Sequence, residues 1–169
     1  GAVERLRAMM RGETPPPERE GPEISIDLPV SAHLPASYVP DLNLRLALYQ
    51  RLSAAGDPED VSAIAQEMVD RFGPPPPLAR NLLYVVSLRA LAKQSGIQSI
   101  ATDVGTIVGR MTDGETLPGE ALASIVPRGV RAGRTMLTID LGEGWRERLR
   151  RTLEQVASLK GATESQRAD

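Results

Sequence analysis

At 169 residues, 41% of them hydrophobic and 3% aromatic, the chain has enough apolar material to bury a domain's core without cross-links. It holds no cysteine, which excludes a disulfide framework and any thiolate metal site. Its 20 Lys and Arg against 22 Asp and Glu leave a net charge of -2; no apolar run reaches the length of about 20 residues that a spanning helix needs, and no signal peptide opens the chain, so a soluble, cytoplasmic protein with no membrane partner is expected.

Residues 1–22 read as an attachment. Val3, Leu6, Met9 and Met10 give a short helical pattern that starts abruptly, as though a longer helix had been cut, and GETPPPEREGP then favours an extended, solvated linker. From Glu23 to Val30, Ile24, Ile26, Leu28 and Val30 alternate with polar neighbours, the pattern of a half-buried strand with Pro29 near its end. His33, the only histidine, falls in a loop and cannot form a metal site unaided.

Three helices follow. The first starts near Asp41, whose carboxylate can accept from the free amides of the first turn; Leu42, Leu46 and Tyr49 lie on one face and Leu44, Leu48 and Leu52 on an adjoining one. Leu42 to Leu48 also alternates like a strand, but the continuation through Tyr49 and Leu52 decides for helix. The second has Asp57 as cap, Pro58 at its first position and Glu59 and Asp60 in its first turn. Val61, Ile64, Ala65, Met68 and Val69 then recur at helical spacing until Gly73, where four prolines forbid continuation. The third runs from Leu78 through Leu82, Leu83, Val85, Val86, Leu88 and Leu91 to a stop at Gly96.

After Gly96 the pattern shifts to short strands. IQSIA, VGTIVGRM and RTMLTIDL offer β-branched residues bounded by Gly and Asp; between the last two, Leu117 to Val126 suggests a short helix stopped by Pro127-Arg128-Gly129. Trp145, Leu149, Leu153, Val156 and Leu159 mark a closing helix with a basic opposite face, and the polar tail from Gly161 is expected to be disordered. The fold class is therefore α+β: an N-terminal strand and three-helix subdomain, then a small, mostly antiparallel sheet and a C-terminal helix.

No residues suggest catalysis. The chain lacks G-x-x-x-x-G-K-[ST], its glycines at 105, 109 and 114 read as turn residues, and His33 sits beside no nucleophile elbow, so no catalytic residue, metal or cofactor is assigned. Charge is more informative. Residues 23–70 hold eight acids against Arg45 and Arg51, whereas 71–160 hold thirteen bases against eight acids, the asymmetry of a domain with two unlike faces.

Val39-Pro40-Asp41-x-Asn43-x-Arg45-Leu46-x-x-Tyr49-x-Arg51, then Asp70-Arg71-Phe72-Gly73 with proline close behind, then Leu82-Leu83 and Gly96-Ile97, together resemble the C-terminal domain of the bacterial transcription-repair coupling factor. Agreement of order and spacing covers roughly residues 24 to 100. The resemblance implies a regulatory domain over 23–160, tethered by residues 1–22 to a preceding motor that holds the ATPase and DNA-translocating machinery. It further implies an autoinhibitory latch, folded back on the parent's N-terminal helicase-like module and hiding the surface that recruits the damage-recognition protein of nucleotide excision repair. RNA polymerase, DNA and excision-repair proteins would be met through the parent. Glu67 and Asp70, just ahead of the Arg-Phe-Gly corner, occupy the positions whose carboxylates would meet that module's arginines. From the residues alone, a second reading is a nucleic-acid-binding module using the bases of 128–151, Arg146, Arg148, Arg150 and Arg151 among them. An acidic pI near 5.6, few aromatics and no recognition motif favour the latch.

Overall fold

The computed structural model describes residues 23–168, and side chains through Ala162. The helix and linker expected over residues 1–22 lie outside the described residues. Among the described residues two compact units emerge, one formed by Val30–Ala90 and the other by residues 23–29 together with the chain from Leu91 onward.

The first unit is helical, and its boundaries follow from local chemistry. Asp41 accepts from the Leu44 amide at 3.0 Å and so caps α1 (Leu42–Ala54), as expected. Asp57 does the same for the Asp60 amide at 3.0 Å, with Pro58 in the first turn of α2 (Pro58–Phe72). Gly73 ends α2 with φ 85° and ψ -173°, a region essentially reserved to glycine that costs a side-chain-bearing residue about 1–3 kcal/mol. The four prolines do break the chain there, but the last of them opens the next helix: α3 spans Pro77–Ser95, one residue earlier than expected. Pro suits that position because the first-turn amides have no intrahelical partner to lose. Gly96, at φ 75°, stops it.

Leu34, Val39, Leu48, Tyr49, Leu52, Val61, Ile64, Met68, Ala79, Leu82, Val86 and Ala90 form this unit's core. Leu42 is left half-exposed at the start of α1, so the inner arc of that helix is Leu44, Leu48, Tyr49 and Leu52. Two tyrosines bolt the loop from 31 to 40 to the helices. The Tyr49 hydroxyl accepts from the Leu34 amide at 2.8 Å, and the Tyr38 hydroxyl donates to the Gly73 carbonyl at 2.8 Å. His33 is exposed in that loop, its amide donating to the Leu78 carbonyl at 3.2 Å.

Phe72 fills the corner after α2, its ring edge-on to Tyr38 with centroids 5.8 Å apart and the Arg71 guanidinium 5.1 Å above it. It is only partly buried. Full burial would make Phe72→Ala cost about 3–5 kcal/mol; here about 1–3 kcal/mol is expected, read as a shift in denaturant midpoint at constant slope. A loss outside that range would mean that the corner is packed differently.

The second unit is a five-stranded sheet of order β1-β2-β3-β5-β4: β1 (Ser25–Asp27), β2 (Ile97–Asp103), β3 (Thr106–Met111), β4 (Val130–Ala132) and β5 (Met136–Asp140). The N-terminal strand is not a separate element: Ser25 to Asp27 pair parallel with Ser99 to Ala101, whereas the other pairings are antiparallel. Val104, expected inside a strand, forms the hairpin turn from β2 to β3 with Gly105, a turn residue as expected, and Val104 stands 95% exposed at its tip. Gly109, read as a turn residue, lies in mid-strand, paired with Leu137. β4, not foreseen, is a three-residue edge strand.

The short helix is α4 (Gly119–Ala123), narrower than the 117–126 expected, because Pro118 can open a helix but not continue one. The closing helix, α5 (Trp145–Ala168), runs past Gly161 where a disordered tail was expected. One interior glycine costs about 1 kcal/mol, a penalty that the Ala, Glu, Gln and Arg after it, good helix formers, offset. Ile97, Ile100, Ile107, Met111, Leu137 and Ile139 are buried on one face of the sheet, as are Leu122 on α4 and Leu149, Leu153 and Val156 on α5. α5 lies against β5 and α4.

Candidate functional site

Glu67 and Asp70 fall on the solvent side of α2 because Val61, Ile64 and Met68 take its inner side. Their surroundings differ. Arg51, one turn from the end of α1, places Nη1 against Glu67 Oε2, and Arg71 on the next turn of α2 brings its own Nη1 to 3.8 Å of the same oxygen. Asp70 accepts instead from the neutral amide of Gln66 at 3.0 Å. The two carboxylates therefore share a face but not a hydrogen-bond network.

The hydrogen bond from Arg51 holds the Glu67 carboxyl below the usual glutamate range, partial desolvation opposing it and the charges of Arg51 and Arg71 reinforcing it. A depressed folded-state pKa means that any stabilisation from this pair is present above the unfolded glutamate pKa and is lost as pH falls through the folded value. All three side chains are between 38% and 46% exposed, so the cluster counts for little in stability and remains accessible to a partner. Glu67 with Arg71 at i, i+4 is a spacing visible in the sequence; the arginine from α1 is not.

The basic residues of α5 do not make one surface. With about 3.6 residues per turn, Arg146 and Arg150 share a side while Arg148 and Arg151 turn away from it. Arg146 lies 5.9 Å from the Trp145 ring. Arg150 is bracketed by Glu147 at 2.6 Å and Glu154 at 3.5 Å. Arg148 is turned inward to the backbone: its guanidinium donates to the carbonyls of Arg128 at 3.1 Å, Asp140 at 2.8 Å and Glu143 at 2.9 Å, tying the start of α5 to the end of β5 and the turn at Gly129. Arg151 is exposed.

Among the described residues no group of three or more His, Cys, Asp or Glu is placed to hold a metal ion, and no helix is long and apolar enough to cross a membrane. What the described residues present is an α+β fold with charged, accessible helix faces. The chain belongs to the TRCF domain family, whose model matches residues 28–122 and so takes in α1, α2 and α3 whole. It is 43% identical over 94 residues to the transcription-repair-coupling factor of Mycobacterium bovis, a match that covers 56% of this chain and 8% of that protein. It is 35% identical over 78 residues to that of Escherichia coli, covering 46% of this chain and 7% of that protein. The chain thus spans less than a tenth of the length of these relatives. In fold it is similar to the crystal structure of the C-terminal domain of a transcription-repair coupling factor: TM-score 0.71 at 18% identity, over 85% of this chain and 98% of that one. The resemblance carried by residues from Val39 to Ile97, and the α+β class, are borne out.

Proposed function

We propose that this is a regulatory interaction domain of a cytoplasmic transcription-repair coupling factor, extending over residues 23–160, and that it works by contact and not by chemistry of its own. The Glu67 and Asp70 face of α2 docks on arginines of the N-terminal helicase-like module of the same protein and covers the surface by which that module recruits the excision-repair damage-recognition protein. RNA polymerase, DNA and the repair proteins act through the rest of the parent protein. The observation that carries this reading is the placement of two carboxylates on the open side of a helix within the 28–122 segment that defines the family. Carboxylates in that setting take guanidinium groups through charge-assisted, often bidentate hydrogen bonds.

Calorimetric titration of this chain with the separate N-terminal module tests it. Wild type is expected to bind. Glu67→Arg with Asp70→Arg should leave the melting curve in place and weaken binding by about 30-fold or more, since removing one partner of a pair desolvated on docking costs about 2–5 kcal/mol. In the full-length protein the same double variant should expose the recruitment surface constitutively. Unchanged affinity beside clear wild-type binding would make these carboxylates a solvated face only.

A further inference from the structure

We propose that Arg51 is an internal competitor for the acidic face of α2: in the free domain its guanidinium occupies Glu67, so a partner's guanidinium gains that carboxylate in full only by displacing it. This rests on the docking reading above and adds to it the residue that sets how tightly the latch closes.

Three observations carry it. Arg51 is exposed and contributes nothing to the buried side of α1, which is made by Leu48, Tyr49, Leu52 and Ser53, so its place beside Glu67 is not a by-product of core packing. Both cations meet the same atom, Glu67 Oε2, Arg51 at hydrogen-bond contact and Arg71 at 3.8 Å. A bidentate guanidinium uses both oxygens of a carboxylate; with Arg51 already on Oε2 and Arg71 beside it, an incoming arginine finds that oxygen partly taken and meets two like charges. Among the described residues, Asp70 is held by the neutral Gln66 amide and meets no such competitor. The face is thus one open carboxylate beside one masked carboxylate, and the mask is held by an exposed ion pair of the kind that exchanges readily.

Titration of the N-terminal module with wild type, Arg51→Met, and Arg51→Met combined with Glu67→Gln reads this directly. Methionine keeps the long unbranched stem and the helix propensity while removing the charge. Arg51→Met is expected to bind about two- to ten-fold tighter, the range set by losing one exposed ion pair and one like-charge repulsion, and Glu67→Gln should erase that gain. Arg51→Lys, which keeps charge but not the planar fork, should fall between. Wild-type binding with Arg51→Met equal or weaker overturns the competition and leaves the latch standing. Binding seen only with Arg51→Met supports the competition and shows the wild-type latch to be held open. No binding by any form overturns both.

Discussion

Replacing Met68 by alanine is expected to cost about 2–5 kcal/mol, whereas the same change at the adjacent Val69 should cost about 0.5–1 kcal/mol. Met68 is fully buried at the centre of the helical unit's core, among side chains from the loop that precedes α1 and from α1, α2 and α3. Val69 is 39% exposed one position along the same helix. Asp41 fixes the start of α1, and Asp57 and Gly73 fix both ends of α2, so the helices beside Met68 have little freedom to close over its loss. Chemical denaturation of both variants, compared at equal slope, checks the pair. A loss under about 1 kcal/mol at Met68 would show that this core collapses onto the void instead of keeping it.

Arg148→Met should destabilise the protein by about 2–4 kcal/mol, and Arg151→Met, three residues on, by about 0.5 kcal/mol or less. Charged hydrogen bonds are worth about 1.5–3 kcal/mol each when both groups are sheltered, and the Arg148 side chain makes three of them with only the bond to the Asp140 carbonyl partly buried, which is why the expected sum is well below the maximum. The methionine fills the stem's volume but leaves the carbonyls of Arg128, Asp140 and Glu143 to water. The two variants also separate structure from nucleic-acid binding. If Arg148→Met left the melting temperature in place while salt-dependent binding of duplex DNA fell, Arg148 would be a phosphate ligand and the basic-module reading would replace the latch.

Legibility followed the range of each interaction. Asp41, Asp57-Pro58, Gly73 and Gly96 mark helix ends by acting on backbone within a few residues, so the three helices can be read directly from the chain. β4 cannot: Val130-Arg131-Ala132 is extended because it pairs with β5, and three residues carry no period of their own. β1 is visible as a strand through Ile24, Ile26 and Leu28, yet its parallel pairing of Ser25 with Ser99 is not. Sequence likewise singled out Glu67 and Asp70 but missed what distinguishes them, because Arg51 reaches Glu67 from another helix across 16 residues. In the sequence Arg148 reads as part of a basic face for a related reason. Its acceptors are main-chain carbonyls, and those leave no signature in side-chain types.

The parallel pairing of β1 with β2 imposes an order of assembly. Every described residue of the helical unit lies between the two strands, so the described part of that unit is a contiguous stretch and the sheet is a discontinuous one. Contacts within the helices are local and can close early, while β1 has no neighbour until the chain as far as residue 101 is available. As the polypeptide emerges from the ribosome, Ser25 to Asp27 must therefore wait, hydrogen-bonded to water, through the synthesis of the whole helical insert. Condensation of that insert shortens the effective loop to be closed, and with it the entropic cost of bringing the strands together. Nesting makes the helices the natural nucleus and leaves β1 to be sealed onto β2 after them.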